Sequence, residues 1–349
     1  MHNLEFYFMR KLFLVFVNLC LILSCFGFVS CREKSASAQA SKAEKITVLA
    51  SVFPAYDWAR NLAAGSDNVS VDLLLKDGVD LHSYQPSAKD IVKISTADIF
   101  IYVGGESDQW VGDALKNAGN ENQIVINLME VLKGFVKEEE VVEGMQAEDE
   151  SGHENEGHEG EAHVPELAGH EHEERAEREF DEHVWLSLNN AIASSNEIAR
   201  ALMERDESNA QIYMANLVSY VQALSSLKEA YANEFGGKTI IVCDRFPFRY
   251  LTDEFGIKYY AAFTGCSAET EASFETIAFL AKKCQELNAK AVFVTESADK
   301  KIARTVISSA NRESAPIVTL DSMQSVTLKQ AKKGANYLDI MRSNLEALK

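Results

Sequence analysis

Eight histidines are spread unevenly along the 349 residues. Five of them, His153, His158, His163, His170 and His172, fall in one glutamate-rich stretch, and His2 lies in the leader, which leaves His82 and His183 for a folded body. Neutral imidazole is the commonest protein ligand for metal ions of borderline softness, and carboxylates and thiolates complete such sites. His82 stands in Asp80-Leu81-His82-Ser83-Tyr84 and His183 in Asp181-Glu182-His183-Val184-Trp185. Cys243-Asp244 and Asp321 each follow an apolar run of their own. These donors suit Zn²⁺, and also Mn²⁺ or Fe²⁺ at higher coordination number. A lone interior histidine is more often a hydrogen-bonded packing residue than a ligand, so placement decides.

From Lys45 onward, short β-rich runs alternate with helical patterns, as in βαβ units with a parallel sheet. One series holds the runs Ile46 to Val52, Val69 to Leu75, Ile99 to Val103 and Ile124 to Leu128. A second follows Gly236-Gly237, with Thr239 to Cys243, Lys258 to Phe263, Ala291 to Thr295 and Ile317 to Leu320. Between them, Ile212, Leu217, Val221, Leu224, Leu227, Tyr231 and Phe235 recur at helical spacing. The expected fold is α/β: two similar lobes, 46–205 and 236–349, with parallel-type sheets, joined by one long rigid helix over 206–235. His82, Asp244 and Asp321 then follow strand ends, and His183 lies where the chain re-enters order. In doubly wound sheets ligands bind outside the carboxyl ends of the strands. The four candidate ligands therefore gather at one edge.

Charge separates the chain into parts. Residues 138–182 hold 19 of the 53 acidic side chains and only Arg175 and Arg178 of the 34 basic ones, so the other residues are nearly balanced at 34 acidic to 32 basic. No basic nucleic-acid footprint exists. The acidic segment has too little aromatic and β-branched content to build a core, and its five histidines make it an accessory metal-binding loop. At the start, Arg10 and Lys11 precede the apolar run Leu12 to Phe28 and then Val29-Ser30-Cys31, the arrangement of an export signal. An uncleaved membrane helix would need about 20 apolar residues, which puts this run at the short edge. Residues 32–45 read as a flexible tether. Three cysteines remain in the body, Cys243, Cys266 and Cys284. With an odd number in an oxidising compartment, Cys266 and Cys284 are the pair expected to bridge.

Two segments carry a family likeness. His82 to Asp90, HSYQPSAKD, resembles the DPHxYEPxPSD segment of the metal-binding lipoproteins of zinc and manganese ABC transporters, and Asp181 to Leu188, DEHVWLSL, resembles that family's DPHxWLDP. Tyr102 to Trp110 and Thr319 to Met323 also match family segments, and the likeness spans essentially the whole mature chain. It implies a metal site in the cleft between the lobes with His82, His183 and Asp321 as ligands, and a monomeric receptor that hands Zn²⁺ to a permease and its ATPase, with Mn²⁺ possible. Cys31 would be the acylated residue, with Cys25 competing, placing the protein outside the cytoplasmic membrane, periplasmic or at the cell surface. A histidine-rich insert before the second motif resembles the zinc-type members. One motif departs: where the family shows HDAFGY, this chain reads Val242-Cys243-Asp244-Arg245-Phe246-Pro247-Phe248-Arg249-Tyr250, which puts Arg245, unable to coordinate, at the third ligand's position. Asp244 is the favoured substitute, with Cys243 or water as alternatives. A surface adhesin is a second function that family members carry. A zinc hydrolase would share the donor set but lacks a motif supplying its base, so no enzymatic activity is expected.

Overall fold

The computed structural model describes residues 45–116, 119–146, 179–267 and 271–349, so the leader, the tether and the five clustered histidines lie outside the described residues. Two four-stranded parallel sheets organise the chain. In the first, β1 (Ile46–Ala50), β2 (Val69–Leu73), β3 (Ile99–Tyr102) and β4 (Ile124–Asn127) lie in the order β2-β1-β3-β4. In the second, β5 (Thr239–Arg245), β6 (Lys258–Phe263), β7 (Val292–Thr295) and β8 (Ile317–Leu320) repeat that order as β6-β5-β7-β8. Helices cover both sheets, so β3 reads Ile99-Phe100-Ile101 with every side chain buried, where a sheet with one wet face would alternate.

The helices of the first lobe are α1 (Phe53–Leu62), α2 (Ala88–Thr96), α3 (Val111–Lys116) and the single turn α4 (Leu128–Val131). Ser87 and Asp90 form a reciprocal capping box that starts α2 directly after the His82 segment. Ser187 caps α5 (Leu188–Arg205) by accepting from the Asn190 amide, which fixes the chain just after His183. The connector is α6 (Ala210–Glu234), whose buried stripe is Tyr213, Leu217, Tyr220, Leu224, Leu227 and Tyr231. Alternating steps of four and three keep that stripe on one face. Ile212 and Val221, expected in the stripe, sit one position off it and are only partly buried. The second lobe adds α7 (Arg249–Phe255), α8 (Phe274–Glu286), α9 (Lys301–Ser309), α10 (Leu328–Lys332) and α11 (Tyr337–Leu348).

One apolar core runs from the first sheet through α1, α5 and α6 to one face of the second sheet, and a smaller core lies under α8 and α9 on its other face. At its centre Tyr337 packs edge-on against Trp58 with ring centroids 5.3 Å apart and donates to the Trp185 carbonyl at 2.7 Å. Among the described residues no helix is long and apolar enough to cross a membrane.

Two parts of the acidic insert are described and are not free loop. Residues 138–146 and 179–182 are ordered: Glu138 bridges Phe180 in antiparallel fashion, and the Gln146 amide donates to the Ala262 carbonyl at the end of β6. Lys137 pairs with Asp253 at 2.8 Å and the Tyr259 hydroxyl donates to Glu140 at 3.1 Å. The start of the insert is thus tied to the second lobe, and its end joins it where the Tyr250 hydroxyl donates to the Asp181 carbonyl at 2.8 Å.

Candidate metal centre

His82 enters the site from a short 3₁₀ turn, Leu81–Ser83, after β2. Asp80 makes that turn by accepting from the His82 amide at 3.1 Å. Asp181 does the same for His183, accepting from its amide at 2.8 Å and from its Nδ1 at 2.9 Å. The shared Asp-x-His spacing is thus an Asx-turn that aims each ring. Ser107 Oγ lies 2.8 Å from His82 Nδ1 and Glu182 Oε2 lies 3.4 Å from it, while the Ser107 amide donates to Glu182 Oε1 at 2.8 Å. Gly105, at φ +82°, lets this loop lie against Glu182, where a Cβ would collide.

With both Nδ1 atoms engaged, the two Nε2 atoms face each other at 3.3 Å. Two nitrogens bound to one zinc at about 2.0–2.1 Å in tetrahedral geometry stand about 3.3–3.4 Å apart, so the pair is already set at chelating distance. Burial, and then the neighbouring His183, pushes His82 down to about 3. Burial acts on His183 in the same sense, but the carboxylates of Asp181, Glu139 and Asp80 together outweigh it and raise that imidazole. Asp181 Oδ2 and Glu182 Oε2 are buried without a hydrogen-bond partner among the described residues. Orphaned carboxylate oxygens beside two imidazoles form a field that favours a bound cation.

Cys266, which follows β6, joins the histidines. Among the described residues, the metal-capable side chains whose ligand atoms all lie within 4.8 Å of one another are His82, His183 and Cys266. Its amide donates to Glu139 at 3.1 Å, a contact supplied by the ordered start of the acidic insert. Gly265 permits the approach, since a Cβ there would sit 3.2 Å from the His183 ring and 2.9 Å from the Phe246 carbonyl oxygen. Burial and then the Glu139 carboxylate push the Cys266 thiol up. The expected bridge between Cys266 and Cys284 does not form: Cys243, Cys266 and Cys284 are all free, and Cys284 packs in the second lobe's smaller core with Cys243.

Of the other expected donors, Asp244 and Cys243 are committed elsewhere. Asp244 accepts from the Thr295 amide at 3.0 Å and from the Thr295 hydroxyl, which ties β5 to β7. Cys243 is 2% exposed, and burial pushes its thiol up. Arg245, at the position the family pattern assigns to a ligand, donates to Asp80 at 2.8 Å and to the Ser267 carbonyl at 3.4 Å. It therefore clamps the His82 turn to the Cys266 loop across the lobes. A cavity of about 480 Å³ adjoins this clamp, lined by Asp80, Ser83, Asp244, Arg245 and Ser325 among others. Asp321 is outside the three-residue set. Its carboxylate accepts from the Met323 amide at 2.7 Å, and burial, then Glu296, pushes it up to about 6. The next residue, Ser322, accepts from the Trp185 indole at 2.8 Å, which docks this loop on the His183 turn.

Comparison with known proteins agrees in fold and in family. Residues 48–349 match the model of the family described as zinc-uptake complex component A, periplasmic. The high-affinity zinc uptake system protein ZnuA of Bacillus subtilis is 30% identical over 336 residues, 95% of this chain and 96% of that protein. The zinc-binding lipoprotein AdcA of Streptococcus pneumoniae is 28% identical over 346 residues, 98% of this chain but only 61% of that longer protein. The crystal structure of the Zn(II)-bound ZnuA-like domain of the same AdcA superposes with a TM-score of 0.62 at 25% identity, over 87% of this chain and 97% of that one.

Proposed function

The chain belongs to the family of periplasmic zinc-uptake component A proteins, and from that premise we propose that it is the zinc-capturing component of an ABC importer. It binds Zn²⁺ between its lobes at His82 and His183 and surrenders the ion to a permease driven by its ATPase. The observation that carries this reading is the 3.3 Å separation of the two Nε2 atoms, each ring held from behind through Nδ1. A ligand histidine whose other nitrogen is held by a carboxylate or hydroxyl is fixed in tautomer and orientation, so little order is left to impose on binding. No bond is made or broken in the cargo, and the protein acts as a receptor.

Further parts belong to the same proposal. Asp321 supplies a carboxylate from the second lobe, which would close a tetrahedral site, and its loop's docking on Trp185 supports this. The five histidines of the acidic insert gather zinc near the cleft. Cys31 carries the lipid that tethers the protein, as a monomer, outside the cytoplasmic membrane. Substitution of His82 and His183 together by alanine tests the central part: tight one-to-one zinc binding in a chelator competition should vanish while the melting temperature of the metal-free protein is kept. Retention of that binding would refute it.

A further inference from the structure

We infer that Cys266 is the third metal ligand, so that the captured ion is held by two imidazoles and one thiolate, with the Asp321 carboxylate completing the site. This rests on the zinc-receptor reading and names a donor that the sequence motifs do not assign. Four observations converge on it. Its ligand atom and those of both histidines lie within 4.8 Å of one another. Tetrahedral coordination with a zinc–sulfur bond near 2.3 Å and zinc–nitrogen bonds near 2.05 Å asks for a sulfur–nitrogen separation of about 3.6 Å, so closure needs a shift of no more than about 1.2 Å. The backbone around the cysteine is pinned on both sides, by Glu139 on the Cys266 amide and by Arg245 on the Ser267 carbonyl. Arg245, Asp244 and Cys243, the residues of the departing motif, are held by Asp80, Thr295 and the second lobe's core respectively. With Cys243 and Cys284 packed in that core, no disulfide consumes Cys266.

The motif's missing ligand is thus supplied by a different loop, the one after β6. On capture the Cys266 S–H bond breaks, sulfur donates its electron pair to the metal, and the proton leaves to solvent; nothing is oxidised or reduced. A thiolate makes the donor set softer than one of nitrogen and oxygen alone. It selects Zn²⁺ and Co²⁺ over Mn²⁺, which prefers carboxylate and water.

The test uses the full chain, stripped of metal under reducing conditions and given one equivalent of Co²⁺. The expected spectrum has visible ligand-field bands and a near-ultraviolet sulfur-to-cobalt charge-transfer band. In Cys266→Ser the charge-transfer band should disappear while visible bands remain, and zinc affinity should fall by more than about 100-fold, since even outer-shell partners are worth 10–100-fold. Cys266→His, which restores a nitrogen donor, should recover most zinc affinity without the band, and this separates a lost ligand from a misfolded loop. A wild-type spectrum without the charge-transfer band, or a Cys266→Ser protein with unchanged band and zinc affinity, would overturn the inference. Failure of the receptor reading looks different: the His82→Ala, His183→Ala protein would keep its one-equivalent binding.

Discussion

Replacement of Asp181 by asparagine isolates what the shell behind the histidines contributes. Asp181 is 1% exposed and touches His183 twice, at the amide (2.8 Å) and at Nδ1 (2.9 Å). Asparagine is nearly isosteric and its oxygen can still accept from the amide, but it carries no charge to raise the basicity of the ring. Loss of such an outer-shell carboxylate weakens metal binding by 10–100-fold. That corresponds to about 1.4–2.7 kcal/mol. At a fixed excess of zinc the metal-dependent stabilisation should shrink by the same amount, because it follows RT ln(1 + [L]/Kd). Asp181→Ala should lose zinc at least as severely and also destabilise the metal-free protein by about 1–3 kcal/mol, since a buried amide is left unpaired. Competition against a chromophoric chelator gives the affinity and thermal melts give the stability. An Asp181→Asn protein whose zinc affinity stays within about threefold of wild type would refute the reasoning, because the shell would then position nothing.

Gly265→Ala places a methyl group 3.2 Å from the His183 ring and 2.9 Å from the Phe246 carbonyl. It should cost about 1–3 kcal/mol in a melt by overpacking and weaken zinc binding in the same chelator assay. Trp185 lies edge-on to His183 with centroids 5.4 Å apart, so zinc should change the protein's tryptophan fluorescence and Trp185→Phe should remove most of that change. Away from the site, Asp98 accepts from the Thr47 amide at 2.8 Å and from Arg205 at 2.6 Å; burial opposes its charge, but these partners hold its carboxyl below the usual range. A depressed carboxyl stabilises the fold above its unfolded value near 3.9 and loses that effect as pH falls through the lower folded value. Asp98→Asn should therefore cost about 1 kcal/mol at neutral pH, after allowance for solvent screening, and the cost should shrink as pH falls below about 4 in denaturant titrations.

The strands were legible because each is a short apolar run bounded by turn residues, and all eight begin and end within a few residues of their expected positions. His82 and His183 stood out in the sequence for a different reason: one follows an expected strand, the other lies where the chain re-enters order, and both stand in segments that resemble the family's; the aspartate that aims each turn is seen only in the structure. Cys266 carried no such mark. It sits in an ordinary loop after β6, and its meeting with two histidines from the other lobe depends on how β5 and β6 abut the His183 turn. Asp244 looked like a donor because the strand was expected to end at Cys243, yet β5 continues to Arg245 and the Asp244 carboxylate is spent joining β5 to β7 through Thr295. Charge averaging hid the ordered ends of the insert. Glu139, Glu140 and Glu143 each contact a residue of the second lobe, namely Cys266, Tyr259 and Lys283, and local pairing overrides composition there.

The central claim is that zinc is captured at the lobe junction and that the acidic insert is an accessory. The most direct measurement is a competitive titration of the chain from Lys45 onward with Zn²⁺ and Mn²⁺, before and after removal of residues 147–178, which spares the ordered stem. One tight zinc site should survive the deletion, be lost with His82 and His183, and yield little to manganese. Disappearance of tight zinc binding with the insert, or manganese competing on equal terms, would contradict it.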